Sequence, residues 1–510
     1  MVKKISNLKV LVDATNQDIT LQVAKKANIK PSKIKYFKII KKSLDARHKN
    51  DIFYNVTAEV SETLVNNSEK QYHKVSNKAR ILVVGAGPAG LFCALELLRH
   101  GLNVTLIERG KKVEERQKSV NDFIKNRVLD EDSNIQFGEG GAGAFSDGKL
   151  NTGVGGELSR EVILDFVKFG APIEIEYINK PHIGSDNLKN VVKNIREEII
   201  RLGGEVLFST KLTDFTLKNG KIDSVTYGGR VERFDEVVLA VGHSARDVYD
   251  LILNKNIFIE PKDFAVGFRI EHLKNDINLA QYGEKYCNLP CMPTADYKLT
   301  SSYNGRGIFT FCMCPGGYVM PSSSEKNTVV VNGMSNYSRD GVNSNSAIIV
   351  QVKTSDFLSG ALGGVKFQEE LEKSAFKLGG EDYSAPVSLV GDYLKGRKSS
   401  DFNSVIPSYE IGTKKVNLNG LLPKNLDDSL HFAIIDMGKR LKGFDKYDSV
   451  LTAVESRTSS PVRIVRNENL TSVSASNLYP CGEGCGYAGG ITSAGADGKR
   501  VALKIVQKYL

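Results

Sequence analysis

The sequence has no tryptophan, only 7 cysteines in 510 residues, and no apolar run near the roughly 18–20 residues of a membrane-spanning helix. This number of cysteines is too small for a disulfide framework in a chain of this length. It predicts free thiols in a reducing, cytoplasmic protein. The first residues, MVKKISNLKV, lack the apolar core and small-residue cleavage site of a signal peptide. What remains is an ordinary globular composition, long enough for two or three domains.

Negative charge is scarce at the N-terminus. Residues 1–78 contain 16 Lys/Arg against 7 Asp/Glu, whereas the rest of the chain has 53 against 52, so the net charge of +10 belongs almost wholly to this segment. We predict a small basic α+β module in which Asp18 opens the helix DITLQVAKKANI, followed by the linker EKQYHKVSNK (69–78). Three interpretations stay open for it: a solvated basic face that deters edge pairing, docking to an acidic protein surface, or attraction to nucleic acid.

A glycine-rich turn follows the first strongly apolar strand. Residues 80–108 place Gly85, Gly87 and Gly90 in the spacing G-x-G-x-x-G, and Glu108 ends the next predicted strand. The first glycine permits the tight turn, the second lets backbone approach a pyrophosphate, and the third permits close packing of helix and strand. A carboxylate about 20 residues beyond the turn accepts hydrogen bonds from a ribose. The segment predicts a dinucleotide-binding βαβ unit.

Two later segments are predicted to lie along the same dinucleotide. The strand in FDEVVLAVGHSARD (234–247) ends at Ala240-Val241-Gly242. Near the C-terminus, CGEGCGYAGG (481–490) gives backbone that can run close to a ligand, with Glu483 accepting from a hydroxyl. A helix from about Ile491 to Lys508 then points its positive end at the cofactor.

A third glycine cluster, FGEGGAGAFSDGKL (137–150), has two open interpretations. Its backbone amides could cover a pyrophosphate or flavin, or it could be a surface loop. Taking the cofactor interpretation, the predicted cofactor-binding residues are Gly85, Gly87, Pro88, Ala89, Gly90, Glu108, Arg109, Gly140, Gly141, Ala142, Gly143, Ser146, Asp147, Gly148, Lys149, Leu212, Ala240, Val241, Gly242, Gly482, Glu483, Gly489, Gly490 and Ile491.

No catalytic residue stands out, and the weak candidates are His243, Cys312, Cys314, Arg457 and Arg463. The two cysteines are predicted to share one face of a strand. Packing is the favoured interpretation for them, and a thiol facing the flavin is the alternative. The two arginines could bind a carboxylate or phosphate, or form ion pairs. The spacings C-x3-C, C-x-C and C-x3-C do not match zinc or iron–sulfur sites, so no metal is predicted.

The chain resembles the poorly characterised NAD(P)/FAD-dependent oxidoreductases, also called NAD-utilising dehydrogenases. The segments that carry the resemblance are KKSLDAR (41–47), VVGAGPAGLF (83–92), QFGEGGAGAFSDGKL (136–150), FCMCPGGYVMP (311–321), VNGMS (331–335), VESRTSSPVRI (454–464) and GEGCGYAGGITSAGADG (482–498). The resemblance implies an FAD-binding domain like that of glutathione reductase, with an inserted second domain. Cys485 departs from the small apolar residue expected there, and Cys287 and Cys291 are particular to this chain.

The predicted fold is α/β: a Rossmann-like, three-layer FAD domain with an inserted α+β domain and the small N-terminal module. The predicted boundaries are 1–76 for the module, 79–254 and 454–510 for the FAD domain, and 255–453 for the insertion. Within the FAD domain, residues 186–203 predict an amphipathic helix capped by Asp186. The single dinucleotide fingerprint argues against a second Rossmann domain for NAD(P).

The predicted function is an FAD-dependent oxidoreductase that moves a hydride to or from a non-covalently bound flavin. Its small-molecule substrate is unknown, and NAD(P)H is a candidate transient donor. The alternatives are an RNA-associated flavoprotein and a non-catalytic FAD-binding sensor.

Overall fold

The computed structural model of the protein describes residues 1–65, 71–76, 79–150 and 156–510. Part of the segment predicted as a linker, 69–78, therefore lies outside the described residues. Among those described, no helix is both long and apolar enough to cross a membrane.

The N-terminal module is a three-stranded antiparallel sheet with one helix on one face. Its elements are β1 (Lys3–Val10), α1 (Asn16–Ala27), β2 (Tyr36–Asp45) and β3 (Phe53–Ser61), with β3 in the centre of the sheet. Contrary to the prediction, Asp18 is not the N-cap of α1. Thr15 is the cap, and Asp18 is the third helical residue of a capping box, in which each side chain bonds the other's backbone.

The FAD domain begins with a βαβ unit and continues with helices and a small meander of strands. Its elements before residue 255 are β4 (Arg80–Val84), α2 (Pro88–Arg99), β5 (Asn103–Ile107), α3 (Val113–Asn126), α4 (Glu157–Lys168), α5 (Ser185–Arg201), β6 (Glu205–Leu207), β7 (Leu212–Lys218), β8 (Lys221–Tyr227), β9 (Arg230–Glu232), β10 (Glu236–Leu239) and α6 (Arg246–Asn254). Asp186 does not cap α5 as predicted. The helix begins after Gly184, and the Asp186 carboxylate accepts from the amide of Tyr337.

The inserted domain is built on one large mixed sheet. Its elements are β11 (Ile259–Pro261), β12 (Phe264–Leu273), α7 (Lys274–Tyr282), β13 (Thr300–Tyr303), β14 (Arg306–Cys314), β15 (Tyr318–Pro321), β16 (Val331–Met334), β17 (Asn343–Val352), α8 (Gly363–Gly379), β18 (Ala385–Leu389), α9 (Val390–Leu394), β19 (Thr413–Lys415), α10 (Lys424–Arg440) and β20 (Val450–Glu455). Seven of these strands form the sheet in the order β13-β14-β17-β12-β20-β18-β19. The predicted boundary at 453/454 falls inside β20.

The chain then returns to the FAD domain through β21 (Val462–Ile464), β22 (Leu478–Pro480) and α11 (Ile491–Tyr509). The parallel sheet of this domain has the order β22-β10-β4-β5-β6. Its central strands are almost wholly buried and apolar, as expected for a parallel sheet covered on both faces. Helix α11 packs against α2 so closely that a Cβ on Gly498 would lie 2.1 Å from the Ala89 carbonyl oxygen. The Rossmann-like fold class predicted from the glycine turn is confirmed.

The basic N-terminal module is packed into the rest of the molecule. Ile52 is 2% exposed and belongs to the core of the inserted domain. The backbone of Lys42 in β2 pairs with Tyr177 and Asn179 of the FAD domain. Lys38 forms an ion pair of 2.9 Å with Glu176. The module therefore contacts both domains.

Candidate cofactor site

A cavity of about 480 Å³ runs from the carboxyl ends of the parallel strands to the sheet of the inserted domain. Ligands of open α/β sheets bind at this edge, where the strand order reverses. The lining includes all the predicted cofactor-binding residues except Gly90, Gly140, Gly148 and Gly482. Of the catalytic candidates, His243, Cys312, Cys314 and Arg457 line it, and Arg463 does not.

The glycine turn between β4 and α2 forms one end of the cavity. Gly85 has φ of +106°, and a Cβ there would lie 2.6 Å from the Ala240 carbonyl oxygen, so the turn approaches the end of β10 closely. A Cβ on Gly90 would lie 1.8 Å from the Gly85 carbonyl oxygen. The third glycine is thus required by contact with the turn itself. Gly87 caps α2 without a side-chain hydrogen bond, which leaves this helix end available to an anion.

Glu108 joins three parts of the site. Its Oε2 accepts from the Ala86 amide at 2.8 Å, and its Oε1 accepts from the amides of Gly110 at 2.9 Å and Gly138 at 3.1 Å. An ionised carboxylate offers about four acceptor sites, so one remains for a hydroxyl of a ligand in the cavity.

We expect Glu108→Gln to weaken FAD binding by about ten- to hundredfold. A hydrogen bond to a charged group is worth about 1.5–3 kcal/mol, and the amide NH2 of glutamine would oppose backbone N–H groups that the carboxylate now satisfies. Fluorescence titration of the apoprotein with FAD measures the change. Glu115→Gln, on the exposed face of α3, is the matched control. Equal affinities for Glu108→Gln and wild type would show that Glu108 does not contact the cofactor.

The glycine loop 136–148 is held in place by Arg116, which sequence reasoning missed. Arg116 is fully buried, and its guanidinium donates to five backbone carbonyls of this loop region, those of Asn134, Ile135, Gly138, Glu139 and Gly141. The loop thereby lies against the glycine turn, where Gly141 is next to Gly87. No local motif identifies Arg116, because its partners lie 18 or more residues away.

The C-terminal glycine segment is anchored by a buried carboxylate. Asp497 of α11 accepts from the Gly482 amide at 2.9 Å and pairs with Arg466 at 2.8 Å. A Cβ on Gly489 or Gly490 would meet nothing within 4 Å, so the N-terminus of α11 opens on the cavity. Gly490 caps α11 without a side-chain bond. The N-termini of α2 and α11, which no side chain caps, therefore face one cavity. This arrangement fits the anionic pyrophosphate and the polar edge of the flavin in FAD.

His243 and Glu483 form a polar pair on the cavity wall. Nδ1 of His243 donates to Oε1 of Glu483 at 3.1 Å, because the ionised carboxylate can only accept. Nε2 of His243 is buried and has no hydrogen-bond partner among the described residues. The pair can therefore orient a polar group of a ligand through either residue.

Lys149 supplies a positive charge at the end of the cavity next to the inserted domain. Its ammonium group donates to the Met313 carbonyl and pairs at 2.8 Å with Asp147, which Arg339 also binds. Burial alone would lower the pKa of Lys149, but the Asp147 carboxylate raises it above its ordinary value. Lys149 is therefore charged at neutral pH.

Cys312 and Cys314 do not share a face, contrary to prediction. A bulge between Phe311 and Cys314 interrupts the pairing of β14 with β17, and Cys312 adopts φ of 41°. Both cysteines border the cavity, but Cys314 is only 1% exposed whereas Cys312 is exposed. The packing interpretation therefore fits Cys314 only. Desolvation in this enclosed space raises the pKa of Cys312 to about 12, so it remains a thiol at neutral pH.

Buried Arg269 holds this bulge. It donates to the Cys312 carbonyl at 2.6 Å and pairs with Glu455 at 3.2 Å. It also lies directly behind Gly333, where an added Cβ would come 2.1 Å from its guanidinium. These contacts direct the Cys312 side chain into the cavity.

We expect added FAD to protect Cys312 from alkylation, because the thiol lines the cavity that the cofactor would fill. Prolonged iodoacetamide labelling of the apoprotein in alkaline buffer, followed by peptide mass spectrometry, should modify exposed Cys291 rapidly and Cys312 slowly, because the raised pKa of Cys312 leaves little thiolate, and should leave buried Cys314 unmodified. With FAD in excess, only the labelling of Cys312 should slow. Unchanged Cys312 labelling would place the flavin elsewhere.

The two candidate arginines are ion-paired within the protein. Arg457 is buried and donates to both carboxylate oxygens of Glu372. Arg463 lies outside the cavity, 3.8 Å from Glu260. The described residues contain no cluster of three or more His, Cys, Asp or Glu side chains that could hold a metal ion. Sequence reasoning also missed cavity residues of the inserted domain and its surroundings, namely Lys180, Tyr297, Lys298, Asn332 and Glu455.

Comparison with known proteins agrees with this geometry. The family model described as "Pyridine nucleotide-disulphide oxidoreductase" matches residues 56–167 and 79–260. The family model described as "FAD-dependent protein, C-terminal domain-like" matches residues 263–458. A domain of unknown function matches residues 1–61. An uncharacterized protein of Clostridium beijerinckii is 44% identical over 530 residues, covering 100% of this chain and 99% of that protein.

The chain belongs to the FAD-dependent oxidoreductases. The cofactor of this family is FAD, and the cavity described above fits it. This confirms the family resemblance on which the cofactor prediction depended.

The solved structures that resemble this oxidoreductase are only distantly similar to it. The flavin-dependent brominase Bmp2 is 13% identical, with 84% of this chain and 79% of that chain covered and a TM-score of 0.39. A flavoprotein/dehydrogenase from Cytophaga hutchinsonii is 13% identical, with 84% and 79% covered and a TM-score of 0.34. Likeness of this degree says nothing about the substrate.

Proposed function

We propose that this oxidoreductase is a dehydrogenase that exchanges a hydride between non-covalently bound FAD and a small molecule held against the inserted domain. The observation that carries the proposal is the continuity of one cavity from the glycine turn and Glu108 to Lys149 and Cys312. When bound, FAD supplies the hydride chemistry, and the protein supplies position and electrostatics.

The residues of the chain divide between the two ends of the cavity. We assign the ribose to Glu108, the pyrophosphate to the N-terminus of α2 and the loop 136–148, and the flavin end to the N-terminus of α11. The dipole of α11 favours negative charge there. Glu483, held by His243, is placed to accept from a hydroxyl of the cofactor.

The inserted-domain end holds the groups that can bind or protonate a substrate. Lys149 is a charged donor held by Asp147, and Cys312 is a protonated thiol at neutral pH. Lys180 and Lys298 line the same cavity. Lys149 pairs with Asp147 and Lys180 with Asp296, so Lys298 leaves this set of charges net positive. This set favours a substrate that carries negative charge, and NAD(P)H meets that requirement as a transient donor.

Anaerobic reduction experiments test the proposal. The purified protein, saturated with FAD, is mixed with NADH, NADPH and a panel of small acids, and the loss of the visible absorption band of the oxidised flavin is followed. We expect bleaching by at least one donor, and slower bleaching in Lys149→Met with FAD still bound. Surface Lys118→Met is the matched control.

Two different results would contradict two different parts of the proposal, the cofactor assignment and the reaction. Failure to take up FAD would remove the cofactor assignment. Stable FAD binding without reduction by any donor would favour the non-catalytic sensor instead.

A further inference from the structure

A second cavity, of about 280 Å³, lies on the N-terminal module, apart from the cofactor site. It is lined by Asn7, Lys41, Ser43, Leu44, Asp45, Ala46, Arg47, Asn55 and Thr57. Most of this lining comes from one sheet face, because Lys41 pairs with Thr57 and Ser43 with Asn55 in the register of β2 and β3.

Two β-bulges produce the hollow, and both lie beside the same residue of the central strand. The register of β1 shifts between Ile5 and Leu8, and that of β2 shifts between Ile39 and Lys41. The β1 shift lies opposite Thr57 of β3, and the β2 shift lies between the partners of Ala58 and Thr57. Bulges re-aim side chains and often lie next to binding sites. Here they bring polar groups from all three strands around one space.

The lining of the hollow also contains a buried hydroxyl group. The Ser43 hydroxyl is buried and has no hydrogen-bond partner among the described residues. A buried hydroxyl left unpaired costs free energy, so it is ordinarily satisfied by a ligand or by water.

The charge of the hollow favours an anion. Lys41 lies on its exposed rim. Asp45, the one carboxylate in the lining, is neutralised by Arg47, whose guanidinium holds the pKa of Asp45 at about 2. Lys41 therefore leaves the site net positive. An ammonium group, two hydroxyls and two amide groups provide donors suited to the several acceptor oxygens of a phosphate.

We propose that this hollow is a binding site for the phosphate group of a small molecule. Lys41 provides the charge, Ser43 and Thr57 donate from the floor, and Asn7 and Asn55 donate from the sides. The site is independent of the proposed hydride transfer, and it gives the N-terminal module a binding role of its own.

Calorimetric titration of the full-length protein with inorganic phosphate tests this site. The protein is first saturated with FAD, so that phosphate cannot bind the glycine turn. We expect wild type to bind phosphate, and Lys41→Met and Ser43→Ala to bind it at least about tenfold more weakly, the loss expected for a hydrogen bond that involves a charged group. Lys4→Met, with the same loss of charge on β1 outside the hollow, is the matched control and should bind as wild type does.

Parallel titrations with AMP distinguish free phosphate from a phosphate ester, and the same order of variants is expected for whichever ligand binds. Thermal melts without ligand should be unchanged in the variants, which separates lost binding from lost folding. If wild type binds neither ligand, or if Lys4→Met weakens binding as much as Lys41→Met, the site is not a phosphate site.

Discussion

Replacement of Arg116 by alanine should abolish FAD binding and destabilise the protein by about 4 kcal/mol or more. The guanidinium serves five carbonyls in the loop region that borders the glycine turn. Each buried carbonyl left without a donor costs about 1–3 kcal/mol, reduced where the loop can relax toward water. Burial lowers the pKa of Arg116 to about 10, so the side chain is still charged at neutral pH.

Arg116→Lys should be intermediate, because an ammonium group has three donors where the guanidinium has five. Urea unfolding measures stability, and fluorescence titration measures FAD affinity. Lys118→Ala, exposed on the same helix, should match wild type in both. Full FAD affinity in Arg116→Ala would mean that the loop does not need this anchor.

Replacement of Glu372 by glutamine should cost about 3–5 kcal/mol, the cost of removing one partner of a buried ion pair. Glu372 is fully buried in α8 of the inserted domain. It accepts from Arg246, at the start of α6 in the FAD domain, and from Arg457, at distances of 2.7–2.9 Å. The variant leaves both guanidinium groups with only the partly exposed Glu325 as a charged partner in the cluster.

The penalty should depend on pH. Burial alone would raise the pKa of Glu372, but the two arginines hold it well below its ordinary value. Its contribution is therefore complete above the unfolded pKa of about 4.3 and falls as the pH decreases toward the folded value. Wild type and Glu372→Gln should thus converge in stability in acid.

Urea unfolding at several pH values measures this difference. Glu370→Gln, exposed on the same helix, should show no such pH-dependent difference from wild type. A constant difference between wild type and Glu372→Gln across this range would show that the ionised carboxylate is not what stabilises the cluster.

Local sequence patterns predicted the elements whose structure depends on neighbours along the chain. The βαβ unit, the position of Glu108 and the helix from Ile491 followed from glycine spacing and apolar periodicity, because turn geometry and helix ends depend on a few adjacent residues. The errors at Asp18 and Asp186 were of one or a few residues, since several polar residues near a helix start compete for the cap position.

Cys312 and Cys314 show where such reasoning stops. Alternation along a regular strand places residues two apart on one face, but a bulge in the pairing of β14 with β17 turns Cys312 into the cavity. A bulge depends on the partner strand and on Arg269 behind it, which lies 43 residues away in the chain.

The sequence alone therefore determined the fold class and the position of the dinucleotide turn, because a phosphate-binding turn is encoded within about thirty residues. The choice of FAD over another dinucleotide depended on the family resemblance, which is carried by segments along the whole chain. Only the tertiary structure decided which charged residues support the site. Arg116, Arg269 and Glu372 are buried by segments distant in the chain, and a buried charge is tolerated only where packing brings it a partner.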